Sequence, residues 1–303
     1  MFILSRFSEV LKKSSFGDLV IKSLDRDLAK DMCIKNHYSH KWNSSFGTIN
    51  FGIYRHGELL GCAVFGNLMN PNSYKSISPE LTHKSQIVEL NRLWVDDKLG
   101  KNTESMFLSA CFKLIKENHR EVKLIQSFSD GRLGCGTIYK SANFEYYGYT
   151  ESLFFEDIDS GEVFHKAPLE VTNRPKGVIE KNHRFVLGKL KPFKVRTYRY
   201  IYKINKYTQV SFEKQDYPTY HIGMDYLSDY KHSVRTVIRA WMLAFLLNRT
   251  EIRDLGVWIT KNIEEDDFNK IVNEYLQNKS ILEVTKSRGC QDNYNKLCDK
   301  FGN

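Results

Sequence analysis

The clearest element in the chain is a helix beginning at the polar run Asn102-Thr103-Glu104-Ser105. Met106, Phe107, Ala110, Cys111, Leu114 and Ile115 recur at the i, i+1, i+4, i+5 spacing of one buried helical face. An apolar run rich in branched and aromatic residues precedes it (IVELNRLWV), and another follows it (VKLIQSF). Around this unit the pattern predicts a strand at residues 18–24, then a helix capped by Asp25 that ends near Asn36 and carries Leu28, Ala29, Met32 and Cys33 on one face. A hairpin of TINFGIY and ELLGCAVFG turns at Arg55-His56-Gly57. Residues 67–85, with two prolines and many turn formers, read as a long loop. After VKLIQSF come a glycine-rich loop (SDGRLGCG), a short helical piece (TIYKSAN), an aromatic strand pair turned at Asp159-Ser160-Gly161, and the alternating strand YRYIYKI. One mixed sheet covered by helices accommodates this order, which makes an α+β domain to about residue 205.

Beyond that point the texture is helical, with SVRTVIRAWMLAFLL, DDFNKIVNEYLQ and two short helices, so residues 206–303 are expected to form an all-helical domain. Ser280-Ile281-Leu282-Glu283 has the capping-box form. Arg288-Gly289-Cys290 separates that helix from one with Tyr294, Leu297, Cys298 and Phe301 on one face. Residues 280–301 are therefore a helix-turn-helix candidate, with plain helical packing as the alternative. The longest apolar run, Ala240–Leu247, is far too short for a membrane span, and MFILSRFSEV lacks the features of a secretory leader, so a cytoplasmic protein is expected. Cys33, Cys62, Cys111, Cys135, Cys290 and Cys298 form no C-x-x-C pair and read as reduced, mostly buried thiols.

Charge is concentrated in one place. The formal net charge is +9, and ten Lys or Arg against the single acid Glu180 lie between Arg174 and Lys203. Phe185, Phe193, Tyr198, Tyr200 and Tyr202 are interleaved with Lys189, Lys191, Lys194, Arg196 and Arg199. Such a strip suits a polyanion, nucleic acid before acidic membrane, by phosphate contact and stacking; a solvated basic face is the alternative.

The order of elements over residues 18–204 resembles GNAT N-acyltransferases, which place an acyl-CoA pyrophosphate at the start of the helix after a central strand. That maps the cofactor cradle to Gly100, Asn102, Thr103, Glu104 and Ser105. Asp97-Lys98-Leu99-Gly100-Lys101-Asn102 keeps only the central glycine of the usual signature there.

The local strings resemble a narrower family. Asn36-His37-Tyr38-Ser39-His40, Glu89-Leu90-Asn91-Arg92-Leu93-Trp94, Lys101-Asn102-Thr103-Glu104-Ser105, and Ser127-Phe128-Ser129-Asp130-Gly131 followed by the Gly136–Phe144 string and Tyr146-Tyr147-Gly148 are similar, in this order, to the bacteriophage Mom proteins. The resemblance implies a GNAT-related enzyme that converts adenine in phage DNA to N6-(carbamoylmethyl)adenine and so protects it from host restriction. It implies functional roles for His37, Tyr38, Arg92, Asp130 and Tyr139, the Asp-to-Tyr spacing being one residue shorter than in the family.

These residue types suit the chemistry. The adenine amino group is a weak nucleophile, and in duplex DNA it is stacked and paired, so the base must be exposed and proton removal assisted. His37 and Asp130 are acid or base candidates, Arg92 suits a carboxylate, phosphate or developing negative charge, and Tyr38 and Tyr139 offer flat faces with polar tips. The expected partner is double-stranded DNA. Acetyl-CoA or another acyl or aminoacyl group is the expected donor, and iron held by His37, Asp130 and Tyr139 is a minor expectation. A GNAT acyltransferase acting on a small amine or a protein lysine, and a DNA-binding protein without turnover, remain as alternatives.

Overall fold

The computed structural model of the chain describes residues 9–14, 17–166 and 190–228. In chain order they form β1 (Glu9–Ser14), β2 (Gly17–Ser23), α1 (Arg26–Asn36), β3 (Ile49–Arg55), β4 (Glu58–Gly66), α2 (Tyr74–Ile77), β5 (Ile87–Val95), α3 (Thr103–Asn118), β6 (Leu124–Asp130), α4 (Thr137–Ser141), β7 (Glu145–Asp157), β8 (Val163–His165), β9 (Leu190–Lys203) and β10 (Asp225–Tyr226). Lys189 and the expected 280–301 helix-turn-helix lie outside the described residues, as does all but the start of the expected 206–303 helical domain. The described residues group into two compact units, divided after Thr150, after Val195 and after Gly223.

The first unit carries the sheet order β1-β2-β3-β4-β5-β6-β9, with β7 next. Neighbours from β1 to β5 are antiparallel, as are β6 and β9; β5 and β6 are parallel, joined by α3 as the crossover. The hairpin between β3 and β4 closes through His56 (φ 51°) and Gly57 (φ 82°), the left-handed pair that a twisted two-residue turn requires. Asp25 caps α1 by accepting from the amides of Asp27 and Leu28.

The two faces of this sheet bury different elements. On one, Val88, Leu90 and Ile125 meet Phe107, Leu108, Cys111, Leu114 and Ile115 of α3. Each such fully buried side chain contributes roughly 1.5–3 kcal/mol. On the other, Ala29 and Cys33 of α1 pack on Cys62 and Val64 of β4, while Ile77, Ile87, Leu124 and Ile201 form an adjoining cluster. Leu28, expected on the buried face of α1, is 54% exposed. The segment expected as one long loop contains α2. Residues 206–223 belong to the first unit: Ser211 donates its amide to the Ile77 carbonyl and Gln215 to that of Tyr146. Cys33, Cys62, Cys111 and Cys135 are buried free thiols.

In the second unit, β7 pairs with β8 through Phe154–Glu156, and β10 pairs with β9 at Phe193 and Lys194. Phe155, Phe164 and Leu190 make its small core. Among the described residues, no helix is long and apolar enough to cross a membrane.

Candidate active site

Two irregularities in the first sheet shape the site. In the β4–β5 pairing, Val64 faces Arg92 but Phe65 faces Leu90, so Asn91 is an extra residue that bulges β5. The parallel β5–β6 pairing stops at Glu89↔Gln126, and beyond it the Ser127 hydroxyl, 3.1 Å from the Leu90 carbonyl, replaces the backbone ladder. From there β6 pairs only with β9, down to Asp130↔Thr197. The two central strands therefore part, and a split opens through the sheet.

Around this split the fold gathers the residues expected from sequence. His37 is the C-cap of α1, 7% exposed, with Tyr38 beside it at a ring separation of 4.3 Å. The His37 Nδ1 accepts the Ser39 amide at 3.1 Å, so in the neutral ring the proton sits on Nε2. Burial first, then the positive charge of Arg92, lowers its pKa to about 4. At neutral pH His37 is thus a hydrogen-bond donor through Nε2.

Among the described residues Arg92 makes no salt bridge and is anchored on backbone carbonyls. Its guanidinium donates to the Asn91 carbonyl at 2.6 Å and to the Lys41 carbonyl at 3.3 Å, and its carbon lies 4.6 Å from the centre of the Phe46 ring. Asp130 is held by a residue not singled out from sequence. The Arg132 Nε lies 3.0 Å from both carboxylate oxygens, its Nη2 bonds Oδ2, and its backbone amide donates to Oδ1 at 3.0 Å. With both oxygens engaged this way, Asp130 is a clamp for Arg132 more than a free base.

Tyr139 comes from α4 and packs its ring on Phe144 and Tyr200, at 5.3 and 4.9 Å, so both are core partners rather than room for a base. Its hydroxyl donates to the Phe128 carbonyl at 3.3 Å, at the edge of the split, and burial pushes its pKa up to about 12. The charges of Glu89, Tyr38 and Arg92 act on Tyr139, and those of Asp130 and Arg132 act on Tyr38, which places all six groups in one electrostatic neighbourhood.

Glu89 is the group that sequence reasoning passed over. It is 8% exposed and accepts from the Asn91 amide at 3.2 Å and the Gln126 amide at 3.3 Å. Burial raises its pKa, and those two hydrogen bonds and Arg92 only partly offset the rise. The available signal was its place in the Glu89–Trp94 string, in a strand whose other residues are mostly apolar.

At the start of α3, Gly100 (φ 76°) and Asn102 (φ 67°) make the left-handed turn, yet Asn102 forms no side-chain cap. Thr103 and Ser105 donate their hydroxyls to the carbonyls of Leu99 and Asn102 at 2.6 and 3.0 Å. Glu104 adds a negative charge to the first turn. The turn offers its amides, not its side chains, to an anion.

The expected basic strip does not form a single face. Strand alternation puts Arg196 with Tyr198 and Tyr200, and Arg199 with Ile201, on opposite faces of the first unit's sheet. Arg196 lies over the Tyr149 ring at 5.0 Å, and Arg199 over Phe212 at 4.1 Å. In the second unit Lys191 is exposed over Tyr226 at 3.7 Å, and Lys194 pairs with Glu151 at 2.7 Å. No group of three or more His, Cys, Asp or Glu among the described residues is placed to hold a metal ion. Of the suggested iron ligands, Asp130 is clamped by Arg132, the His37 Nδ1 is taken by Ser39, and the Tyr139 hydroxyl is bonded to a carbonyl, so these side chains do not fit an iron site.

A mixed sheet with a split parallel pair, α1 on one face and α3 on the other, defines a GNAT-like α+β fold. Among solved structures, an N-acetyltransferase from Staphylococcus aureus Mu50 is similar over 61% of this chain and 97% of its own, at 12% identity and a TM-score of 0.34. The ribosomal-protein-S18-alanine N-acetyltransferase of Escherichia coli is similar over 61% and 94%, at 12% identity and a TM-score of 0.33. The aminoglycoside acetyltransferase AAC(6')-Ib in complex with coenzyme A and kanamycin is similar over 44% and 87%, at 16% identity and a TM-score of 0.32. The model of the Mom protein family matches residues 18–219. The methylcarbamoylase mom of Escherichia phage Mu is 30% identical over 210 residues, 66% of this chain and 84% of that protein. The chain belongs to the Mom protein family.

Proposed function

We propose that this chain is a transferase that modifies the N6 amino group of adenine in phage DNA with a carbamoylmethyl-type group, shielding that DNA from restriction in the host cytoplasm. Family membership across residues 18–219 carries the reading, because that span contains every group gathered at the split. The substrate is double-stranded DNA, from which the target base is drawn out of the stack.

In this reading Arg92, held by two backbone carbonyls, presents a fixed positive charge where negative charge develops, and the His37 Nε2–H adds a neutral donor beside it. Asp130 fixes Arg132. Tyr38, 55% exposed, offers an accessible ring. An acyl or aminoacyl donor would supply the carbons, but the carbamoylmethyl group is joined to N6 through its methylene carbon, so transfer at the acyl carbon, which leaves an amide at N6, does not by itself make it. If acetyl-CoA is the donor, the amides at the start of α3, from Gly100 to Ser105, cradle its phosphates against the opposing charge of Glu104. Lys189, Lys191, Lys194, Arg196 and Arg199 contribute phosphate contacts on more than one surface.

The test is mass spectrometry of nucleosides from cells producing the chain, beside Arg92→Ala and Asp130→Ala at equal protein level. A heavier deoxyadenosine is expected only with the unaltered chain. Unmodified DNA beside abundant folded protein would overturn the reading.

A further inference from the structure

A cavity of about 190 Å³ lies in the first unit on the α1 face of the sheet, between the segment from Leu68 to Ile77 and the mouth of the split. Its floor is Glu89 and Gln126, and its wall is a run of planar groups: Phe128, the Arg199 guanidinium and Phe212. The guanidinium carbon is 5.6 Å from the Phe128 ring centre and 4.1 Å from that of Phe212. The Arg199 Nε is itself shielded from the cavity, and among the described residues the outer guanidinium nitrogens make no hydrogen bond, so it is these that a ligand at the wall would meet. Strand alternation sets this cavity apart from the helix start. Val88, Leu90 and Ile125 face α3, whereas Glu89, Gln126 and Phe128 lie at the intervening positions and face the other way.

A ligand matching these walls is flat, carries an N–H donor for Glu89, and carries a nearby ring-nitrogen acceptor for Arg199. Adenine has that pairing of amino group and ring nitrogen. Hypoxanthine, with a carbonyl in place of the amine, sets oxygen against the Glu89 carboxylate. We propose that this cavity receives the extruded adenine, with Glu89 accepting a hydrogen bond from its exocyclic amino group and Arg199 donating to a ring nitrogen. Glu89 is then the residue that selects adenine, and the aromatic wall supplies sequence-tolerant stacking. The inference rests on the DNA-adenine reading above and locates the base within it.

The experiment measures binding of dAMP and dIMP to the full chain by saturation-transfer NMR, together with nucleoside mass spectrometry of cellular DNA. The unaltered chain is expected to bind dAMP about tenfold or more tighter than dIMP, the effect of facing an acceptor with an acceptor. Glu89→Gln, which exchanges a carboxylate for an amide of the same shape, is expected to level or invert that ratio. Phe212→Ala, on the wall and away from the sheet, is expected to weaken both nucleotides by a common factor of about tenfold. Thermal melting of each variant checks that it folds. Equal binding of dAMP and dIMP by the unaltered chain overturns the proposal, as does dAMP binding that neither variant changes. Competitive displacement of dAMP by acetyl-pantetheine, which carries the acyl arm without an adenine, would assign the cavity to the donor and overturn it as well. Modified DNA that persists in both variants removes the cavity assignment and leaves the enzymatic reading intact. Selective dAMP binding without any DNA modification removes the enzymatic reading and leaves the pocket.

Discussion

His37 and Asp130 both belong to residue types that usually exchange protons, and local contacts fix each of them in a single role. Because burial and Arg92 hold His37 at about 4, its ring stays neutral over the working range. An NMR titration of its Cε1 proton is expected to show a midpoint near pH 4, and a midpoint near 6.5 would remove the donor assignment. The sign for stability follows. A histidine with a depressed folded pKa is charged more readily in the unfolded chain, so stability falls as pH drops from about 6.5 to about 4 and then levels. For the clamp, the side chains of Asp130 and Arg132 are 17% and 25% exposed, so removing one leaves a sheltered charge without its counterion. Asp130→Asn and Arg132→Gln are each expected to lower DNA modification at least tenfold. The double variant should be no worse than either single one, and additive losses in that cycle would show that the two act separately.

At the scale of elements, the bulge in β5 and the approach of Gly66 belong together. A Cβ on Gly66 would stand 2.3 Å from the Ser45 carbonyl oxygen and 2.4 Å from the Asn91 Oδ1. Gly66→Ala is therefore expected to cost roughly 2 kcal/mol or more and to shift the bulge that sets Arg92; an unchanged melting temperature would refute this. Much of the local structure was legible in the sequence. The Asp25 cap and the end of α1 at Asn36, the His56-Gly57 turn, the apolar face of α3 and the aromatic β7 all follow from propensities within a few residues. The site was legible only as a set of names. Which groups share it depends on register and on the splitting of β5 from β6, and a register is a property of two strands rather than one. Glu89 is the clearest case: its role comes from Gln126 and the cavity beside it, assembled from segments as distant as Phe212. The length of β9, expected only at its end, was hidden by Pro192 and the alternating cations.

For the whole molecule, a net charge of +9 sets the ionic response. Binding to duplex DNA is expected to weaken linearly in logarithmic salt, with a slope of about −0.9 for each phosphate neutralised. Replacing both Lys191 and Arg196 with Gln should make that slope shallower by up to about two. A salt-independent affinity would take the DNA contacts away from these residues. The strand order also fixes when the protein becomes whole. β6 is covered along its Asp130 side by β9, which the ribosome makes last among the strands of the first unit, and Gly131 donates its amide to the Arg196 carbonyl. A nascent chain that has completed β6 still exposes that edge until about seventy further residues have emerged, at the usual pace some seconds later. A chain whose synthesis stops before Arg196 thus has α1, α3 and most of the sheet in sequence, but lacks the strand that pairs with β6 down to Asp130.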